Sequence, residues 1–95
     1  MRIRWLATAR RDVDEIAAYI ARDNPLAAAH VYDTIHQQVG RLADHPYLGR
    51  PGRVSGTRER VITPTPYIVA YRVTADTVTV LRVLHGARQW PEALG

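Results

Sequence analysis

Residues 9–20 read ARRDVDEIAAYI and are followed by Asn24-Pro25, and this stretch decides the fold. Four apolar residues within it recur at the i, i+3, i+4, i+7 spacing of a helix with one buried face: Val13, Ile16, Ala17 and Ile20. Thr8 is of a type that caps helix starts, so the pattern predicts a first helix over about residues 9–22. The nearby acids are interpreted as favourable charges at the helix start, on its solvated face: Asp12, Asp14 and Glu15.

Asn24-Pro25 is the start signal of a second helix, a cap residue followed by proline at the first helical position. One apolar seam then runs at spacings of three and four residues: Ala28, Tyr32, Ile35, Val39 and Leu42. The seam predicts a helix that ends near Asp44, before His45-Pro46. A long heptad seam also suits a coiled coil, but the adjacent first helix favours packing within the chain.

Strand patterns lie on both sides of this helical pair. Arg2-Ile3-Arg4-Trp5 alternates polar and apolar residues, which indicates a strand. Residues 46–56 are rich in glycine and proline and predict a loop. Three further strands are predicted at about residues 57–62, 67–73 and 78–84, and the tail from His85 to Gly95 is predicted to form a turn and a short helix.

The predicted order is β-α-α-β-β-β within one domain, residues 1–95. Short connections between the last three strands require antiparallel pairing. The fold class is therefore α+β, with a helical hairpin packed on one face of a mostly antiparallel four-stranded sheet.

Strict alternation along the strands assigns many side chains to the face of the sheet away from the helices. Six arginines would share this open face: Arg2, Arg4, Arg58, Arg60, Arg72 and Arg82. Five apolar residues would lie among them: Ile62, Ile68, Val78, Val80 and Leu84. Because a surface both basic and apolar is rarely left bare in water, the pattern predicts a partner that covers it.

The charge is concentrated in the second half of the chain. All 13 Lys+Arg residues are arginine, and residues 1–48 hold six arginines and six acids. Residues 49–95 hold seven arginines and three acids, so they carry the whole excess of +4. Arginine forms paired hydrogen bonds to phosphate and carboxylate. An acidic partner, nucleic acid or protein, is the expected ligand class, with a solvated basic surface as the alternative.

Several classes of site are absent from the sequence. The chain has no cysteine, which excludes disulfide scaffolds and thiolate metal sites. Its four histidines make no ligand-spaced pair with a carboxylate, and no glycine-rich phosphate loop is present. We expect no metal and no cofactor. No apolar run reaches the roughly 18 residues of a membrane span, and the start does not resemble a signal peptide, so we expect a cytoplasmic protein.

The remaining residues that suit chemistry lie on the last strands. Phosphodiester cleavage by the 2′-hydroxyl route needs proton transfer and cationic stabilisation. His85 could transfer the proton, and the alternative is a structural role at the strand end, in a hydrogen bond to a neighbouring carbonyl. Trp90 and Tyr67 could stack on bases, but such residues more often serve as packing anchors.

The order of several short motifs resembles one family over nearly the whole chain. The motifs are Trp5 before the helical stretch 9–20, His45-Pro46, Leu48-Gly-Arg-Pro-Gly52, Arg58-Glu-Arg60, Tyr67-Ile-Val-Ala-Tyr-Arg72 and Val80-Leu-Arg-Val-Leu-His-Gly-Ala-Arg88. Together they resemble the RelE/ParE superfamily of bacterial toxins from type II toxin–antitoxin modules. The resemblance implies the β-α-α-β-β-β fold and an antitoxin whose acidic and apolar C-terminal segment wraps the toxin.

The resemblance implies two different activities within the superfamily. RelE-like members cut mRNA on the ribosome, whereas ParE-like members, often encoded as plasmid stabilisation proteins, poison DNA gyrase and need no nuclease site. Arg58, Arg60, His85 and Arg88 stand near positions where the nucleases carry functional residues. However, Ile68 stands where the nucleases commonly have a basic residue, and no tyrosine follows Tyr71. These departures favour the ParE-like assignment.

Three functional hypotheses follow. The first is a growth-arresting inhibitor of DNA gyrase, not an enzyme, whose target-binding edge consists of Arg82, His85, Arg88 and Trp90. The second is a metal-independent, ribosome-dependent endoribonuclease in which His85 transfers a proton and four arginines stabilise phosphate charge: Arg58, Arg60, Arg82 and Arg88. The third is a non-toxic module that assists the antitoxin on operator DNA, which the chain itself reaches only through the antitoxin.

The antitoxin is expected on the open face of the sheet. Its predicted contacts are Ile62, Ile68, Arg72, Val78, Val80, Arg82 and Leu84.

Overall fold

The computed structural model describes residues 1–94, and its elements follow the predicted order with one short strand added. The helices are Ala7–Ala21 (α1) and Pro25–Arg41 (α2). The strands are Arg2–Trp5 (β1), Arg50–Pro51 (β2), Arg58–Val61 (β3), Tyr67–Val73 (β4) and Thr77–His85 (β5). The predicted α+β class is confirmed.

The two helices begin in different ways. Asn24 caps α2 as predicted, because its side-chain oxygen accepts a hydrogen bond from the Ala27 N–H at 3.0 Å. By contrast, α1 begins at Ala7, earlier than predicted, and Thr8 does not cap it. The Thr8 hydroxyl instead donates to the Leu81 carbonyl of β5 at 3.2 Å, because the chain passes from β1 into α1 without a loop.

The sheet has five strands in the order β1-β5-β4-β3-β2. The first strand lies parallel to β5, and the other neighbours are antiparallel. The added strand, β2, lies within the predicted 46–56 loop, where Arg50 and Pro51 pair with Glu59 and Arg58.

A β-bulge in β5 controls which side chains face the helices. Tyr71 pairs with Val80 while the preceding Ala70 pairs with Arg82, so Leu81 is an extra residue in β5. A bulge changes the alternation of a strand. Val80 and Val83 therefore both join the helix-facing core, whereas Leu81 belongs to a second cluster.

Two apolar clusters cover both faces of the sheet. The main core lies under the helices and includes Ile35, Val39 and Leu42 of α2. The second cluster lies on the other face, where the C-terminal tail folds back so that Leu94 and Trp90 pack near Leu81 and Leu84. The tail forms no helix within residues 86–94, contrary to the prediction.

The predicted exposed apolar face is therefore wrong. Ile62, Val78 and Val80 are completely buried in the main core. Ile68 and Leu84 are also buried. Strict alternation failed at the bulge, and the sequence pattern did not reveal that the chain's own tail would cover the opposite face.

The prediction that six arginines share one face is wrong for Arg58 and Arg60. Arg58 and Arg60 pair with Tyr71 and Val69, and paired residues project to the same face of a sheet. These two arginines therefore project to the helix side, whereas Glu59 between them projects to the other.

The helices and charged side chains give two further findings. Neither helix within residues 1–94 has the length and apolar character that a bilayer crossing requires. No cluster of three or more potential metal ligands occurs among the described residues.

Candidate functional site

The structure brings the four residues of the predicted target-binding edge to one end of β5. A groove of about 360 Å³ is lined by Arg82, Arg88 and Trp90, together with neighbouring residues of the tail. A second groove of about 180 Å³ is lined by His85 and Arg88 and by side chains of α1. We call this region, formed by Arg82, His85, Arg88 and Trp90, the β5-end site.

Arg82 is held by α1 through a carboxylate that the sequence prediction placed on the solvated face. Asp12 is only 8% exposed. Its two oxygens accept from the Arg82 guanidinium, Nε to Oδ2 at 2.6 Å and Nη2 to Oδ1 at 3.0 Å. This hydrogen bond is the main reason that the pKa of Arg82 lies above its ordinary value. Arg82 is therefore a fixed cation, already paired within the chain.

Asp12 also completes the edge of β5. β1 pairs with β5 only as far as Val80, so the backbone beyond that point has no neighbouring strand on that side. The Asp12 Oδ2 atom accepts from the Val83 N–H at 2.9 Å. The Thr8 hydroxyl donates to the preceding Leu81 carbonyl. Side chains four residues apart on α1 thus replace the missing strand. Their i, i+4 spacing beside the buried Val13 was the one signal in the sequence for this role.

His85 is exposed, but one of its ring nitrogens is engaged. Its Nδ1 atom accepts a hydrogen bond from the Ala87 N–H at 3.1 Å. In this arrangement the neutral ring carries its proton on Nε2. The Nδ1 lone pair, which a general base would need, is thus occupied in this geometry. The His85 carbonyl accepts from the Trp90 indole at 3.2 Å, so the same residue also fixes the tail.

Tyr67 packs edge-on against His85, with ring centroids 5.7 Å apart. Burial, and to a lesser degree the nearby Tyr19, raises the pKa of Tyr67. The phenol is therefore kept in its protonated form, which can donate a hydrogen bond but offers no negative charge.

The structure does not bring Arg58 and Arg60 into the β5-end site. The Arg58 guanidinium donates to the Gly49 carbonyl at 2.7 Å and lies 4.7 Å from the centre of the Tyr47 ring. β3 and β5 are separated by β4, so these arginines lie about 10 Å from β5 across the sheet. The four arginines proposed for the nuclease are therefore divided between two places.

A buried glutamate that the sequence analysis missed organises the turn facing the tail. Glu59 is 2% exposed, and its carboxylate accepts from the Arg53 N–H at 2.7 Å and from the Arg50 guanidinium at 3.3 Å. The Arg53 guanidinium lies 3.8 Å from the centre of the Trp90 ring, a cation–π distance. Glu59 thus positions the cation that holds the tail.

Close packing against Tyr71 explains why the Leu48-Gly49 motif has a glycine at position 49. A Cβ at Gly49 would lie 2.6 Å from the Tyr71 hydroxyl oxygen. That buried hydroxyl accepts from the Gly49 N–H at 2.9 Å and donates to the Pro46 carbonyl at 2.7 Å. Burial raises the pKa of Tyr71 despite the opposing effects of the Gly49 hydrogen bond and nearby arginines. The motif therefore ties the turn before β2 to the core.

Comparison with known proteins identifies the family. The model of the ParE toxin of the type II toxin–antitoxin system parDE matches residues 3–90. The chain belongs to the ParE toxin family. It is therefore the toxin of a type II toxin–antitoxin module, and its partner is a cognate antitoxin.

The relatives of this ParE-family toxin are themselves named as toxins, and two of them carry RelE names. The candidate toxin Y4kP of Sinorhizobium fredii is 50% identical over 98% of this chain and 96% of its own length. Toxin RelE2 of Caulobacter vibrioides is 33% identical over 88% of this chain and 93% of its own.

Similar solved structures come from both a ParDE system and a RelBE system. A chain of the chromosomal ParDE system of P. aeruginosa has a TM-score of 0.80 at 27% identity, covering 87% of this chain and 92% of that one. A chain of the RelBE2 complex of Mycobacterium tuberculosis has a TM-score of 0.62 at 29% identity, covering 88% and 95%.

Proposed function

We propose that the free toxin inhibits DNA gyrase and that the antitoxin relieves this inhibition. The observation that carries the proposal is the engagement of His85, whose Nδ1 atom accepts the Ala87 N–H. The only histidine at the β5-end site is thus poorly placed to accept a proton from a ribose hydroxyl. A gyrase inhibitor needs no such proton transfer.

Two further observations support this proposal over a nuclease. Arg58 and Arg60 project to the helix side of β3, away from the β5-end site. Arg82 is paired with Asp12, which reduces the positive charge it can offer to a phosphorane. The resemblance to ParE-like toxins, which poison gyrase, is consistent with the family model that matches this chain.

We assign target binding to the exposed members of the β5-end site. Arg88 and His85 are exposed, and Trp90 is half-buried, so the three can contact a protein surface.

The set of antitoxin-contacting residues proposed from the sequence becomes smaller, because five of its seven members are buried within the toxin. Arg72 remains exposed and is the retained candidate for an antitoxin contact.

The test is a supercoiling and DNA-cleavage assay with purified toxin, gyrase and, in a second arm, the product of the neighbouring antitoxin gene. We expect inhibition that the antitoxin relieves. Arg88→Glu should weaken inhibition about 10-fold or more, as truncation of an interface arginine commonly does. Arg41→Glu at the end of α2 makes the same charge change elsewhere and should leave inhibition unchanged. Intact supercoiling at a large excess of toxin would refute the proposal.

A ribosome-dependent endoribonuclease is the second candidate, favoured by the relatives named RelE. In this case the hydrogen bond from the Ala87 N–H would have to break, so that a protonated His85 ring could donate its Nε2 proton to the leaving oxygen while solvent accepts the proton of the attacking 2′-hydroxyl. Mapping of mRNA ends after induction separates the two proposals. Codon-phased cuts that vanish in His85→Ala would establish the nuclease, whereas growth arrest without such cuts would support gyrase as the target.

A further inference from the structure

A second basic groove lies along β1, at the edge of the sheet. It measures about 590 Å³ and is lined by Arg2 and Arg4 of β1, Arg10 of α1, and the threonines Thr77 and Thr79 of β5. None of these residues belongs to the β5-end site. We call this region the β1 groove.

The sheet register sets the spacing of the cations. Arg4 pairs with Thr79 on β5, and Thr79 pairs with Arg72 on β4. The three side chains therefore form one row on the face away from the helices, with Arg4 and Arg72 about 10 Å apart. Arg2 lies two residues from Arg4, about 7 Å along the strand, which is comparable to the distance between consecutive phosphates of a nucleic-acid strand.

The cations of the β1 groove have no carboxylate partners within residues 1–94. Every ion pair among these residues involves Arg50, Arg53 or Arg82. The acid next to the groove, Asp76, accepts a hydrogen bond from the Thr77 hydroxyl. The groove therefore presents three arginines that form no ion pair within the described residues, beside the carboxylate of Asp76.

Backbone donors add to the side-chain donors at this edge. The N–H group of Arg2 donates to the carbonyl of Asp76, just before β5, and that of Leu6 donates to the Val80 carbonyl of β5. Because alternate residues of a parallel strand bond to the same neighbour, the N–H groups of Ile3 and Trp5 point outward from the edge. Arginine, threonine and backbone N–H groups are the donors that contact phosphate oxygens in nucleic-acid complexes.

We infer that the β1 groove binds the phosphodiester backbone of a nucleic acid. A protein partner is less well matched, because the core of a protein interface is apolar, and none of the exposed large apolar side chains lines the groove. The two apolar residues that line the groove, Ile3 and Trp5, are half-buried and pack against the main core, and the Trp5 ring lies against His36 with centroids 4.8 Å apart. The toxin would thus contact nucleic acid directly, not only through its antitoxin, whichever target it inhibits.

The test measures binding of the full-length toxin to a short, fluorescently labelled DNA duplex of random sequence and to a single-stranded RNA. The double variant Arg2→Gln/Arg4→Gln removes two exposed groove cations. The control Arg22→Gln/Arg41→Gln removes two exposed cations at the ends of the helices, with the same change in net charge. Matching urea midpoints for both variants would show that each is folded.

We expect the groove variant to bind at least one of the two nucleic acids about 10-fold more weakly than wild type, and the control less than about 3-fold. For duplex DNA, the slope of log affinity against log salt should fall by about 2, since two phosphate contacts are lost. Comparison of the DNA and RNA arms identifies the source of the backbone. Equal losses in the two variants would overturn the inference, as would no binding at low salt, or binding of poly-glutamate in preference to both nucleic acids.

Discussion

Asp12 links α1 to β5 through a single carboxylate. It lies on α1, pairs with the Arg82 side chain and accepts the Val83 N–H beside it. A charge that has left water needs both a counter-ion and hydrogen bonds to be tolerated, and Asp12 has both. The same contacts hold α1 over the part of β5 that β1 does not reach.

We predict that Asp12→Ala destabilises the fold by about 2–4 kcal/mol, because it leaves Arg82 without its counter-ion and the buried Val83 N–H without an acceptor. The free energy of unfolding from urea titration measures the effect. Asp14→Ala, an exposed acid on the same helix, should change the unfolding free energy by less than about 0.5 kcal/mol. Similar values for the two variants would mean that the Asp12 contacts contribute little to stability.

Single-residue roles of this kind were the hardest to predict from the sequence. The apolar stripe correctly marked Val13 as buried, and Asn24-Pro25 correctly marked a helix start. Asp12 precedes Val13 in a run of charged residues, and its burial depends on β5, which lies about 70 residues away in the chain. A pattern read within one helix contains no information about such a partner. The burial of Glu59 could not be predicted for the same reason, because its partners lie outside its own strand, at Arg50 and Arg53.

At the scale of elements, periodicity predicted the helices and four of the strands. It did not predict which side chains of β5 face the helices. Two adjacent apolar pairs, Val80-Leu81 and Val83-Leu84, break the alternation of a half-buried strand. Such pairs are typical of a strand buried on both sides, which β5 is. The tail covers the face of β5 that lies away from the helices. Because the tail has no regular secondary structure, its sequence shows no periodic pattern that could have predicted this.

The tail is held mainly by Trp90. Its indole N–H donates to the His85 carbonyl, and its ring stacks with Arg53. We predict that Trp90→Ala releases the tail and lowers stability by about 1–2 kcal/mol, the combined contribution of one hydrogen bond and one cation–π contact. Release uncovers Leu81 and Leu84, so binding of the dye ANS should increase.

Tyr19→Ala is the matched control for the tail prediction, because Tyr19 is an aromatic residue of α1 that is 68% exposed. Its removal should leave ANS fluorescence at the wild-type level. An unchanged ANS signal in Trp90→Ala would mean that Leu94 and the remaining contacts keep the tail in place.

At the scale of the whole molecule, charge is segregated between the two layers. The helical layer, residues 7–41, holds four arginines and five acids, so it carries a net charge of −1. The remaining residues hold nine arginines and four acids and carry +5. The positive charge of the molecule therefore lies with the sheet layer, its loops and the tail.

This segregation predicts that charge steers the antitoxin to the sheet layer. Opposite charges accelerate encounter mainly at low salt, so the association rate should fall about 10-fold or more between low and high salt, while dissociation changes less. In stopped-flow measurements at low salt, Arg72→Gln/Arg88→Gln in the sheet layer should slow association more than Arg22→Gln/Arg41→Gln in the helical layer. The two variants have the same net charge, so equal rates would show that total charge alone matters. An association rate that does not depend on salt would instead indicate recognition through apolar contacts. Exposed apolar side chains such as Leu26 and Tyr47 would then have to supply them.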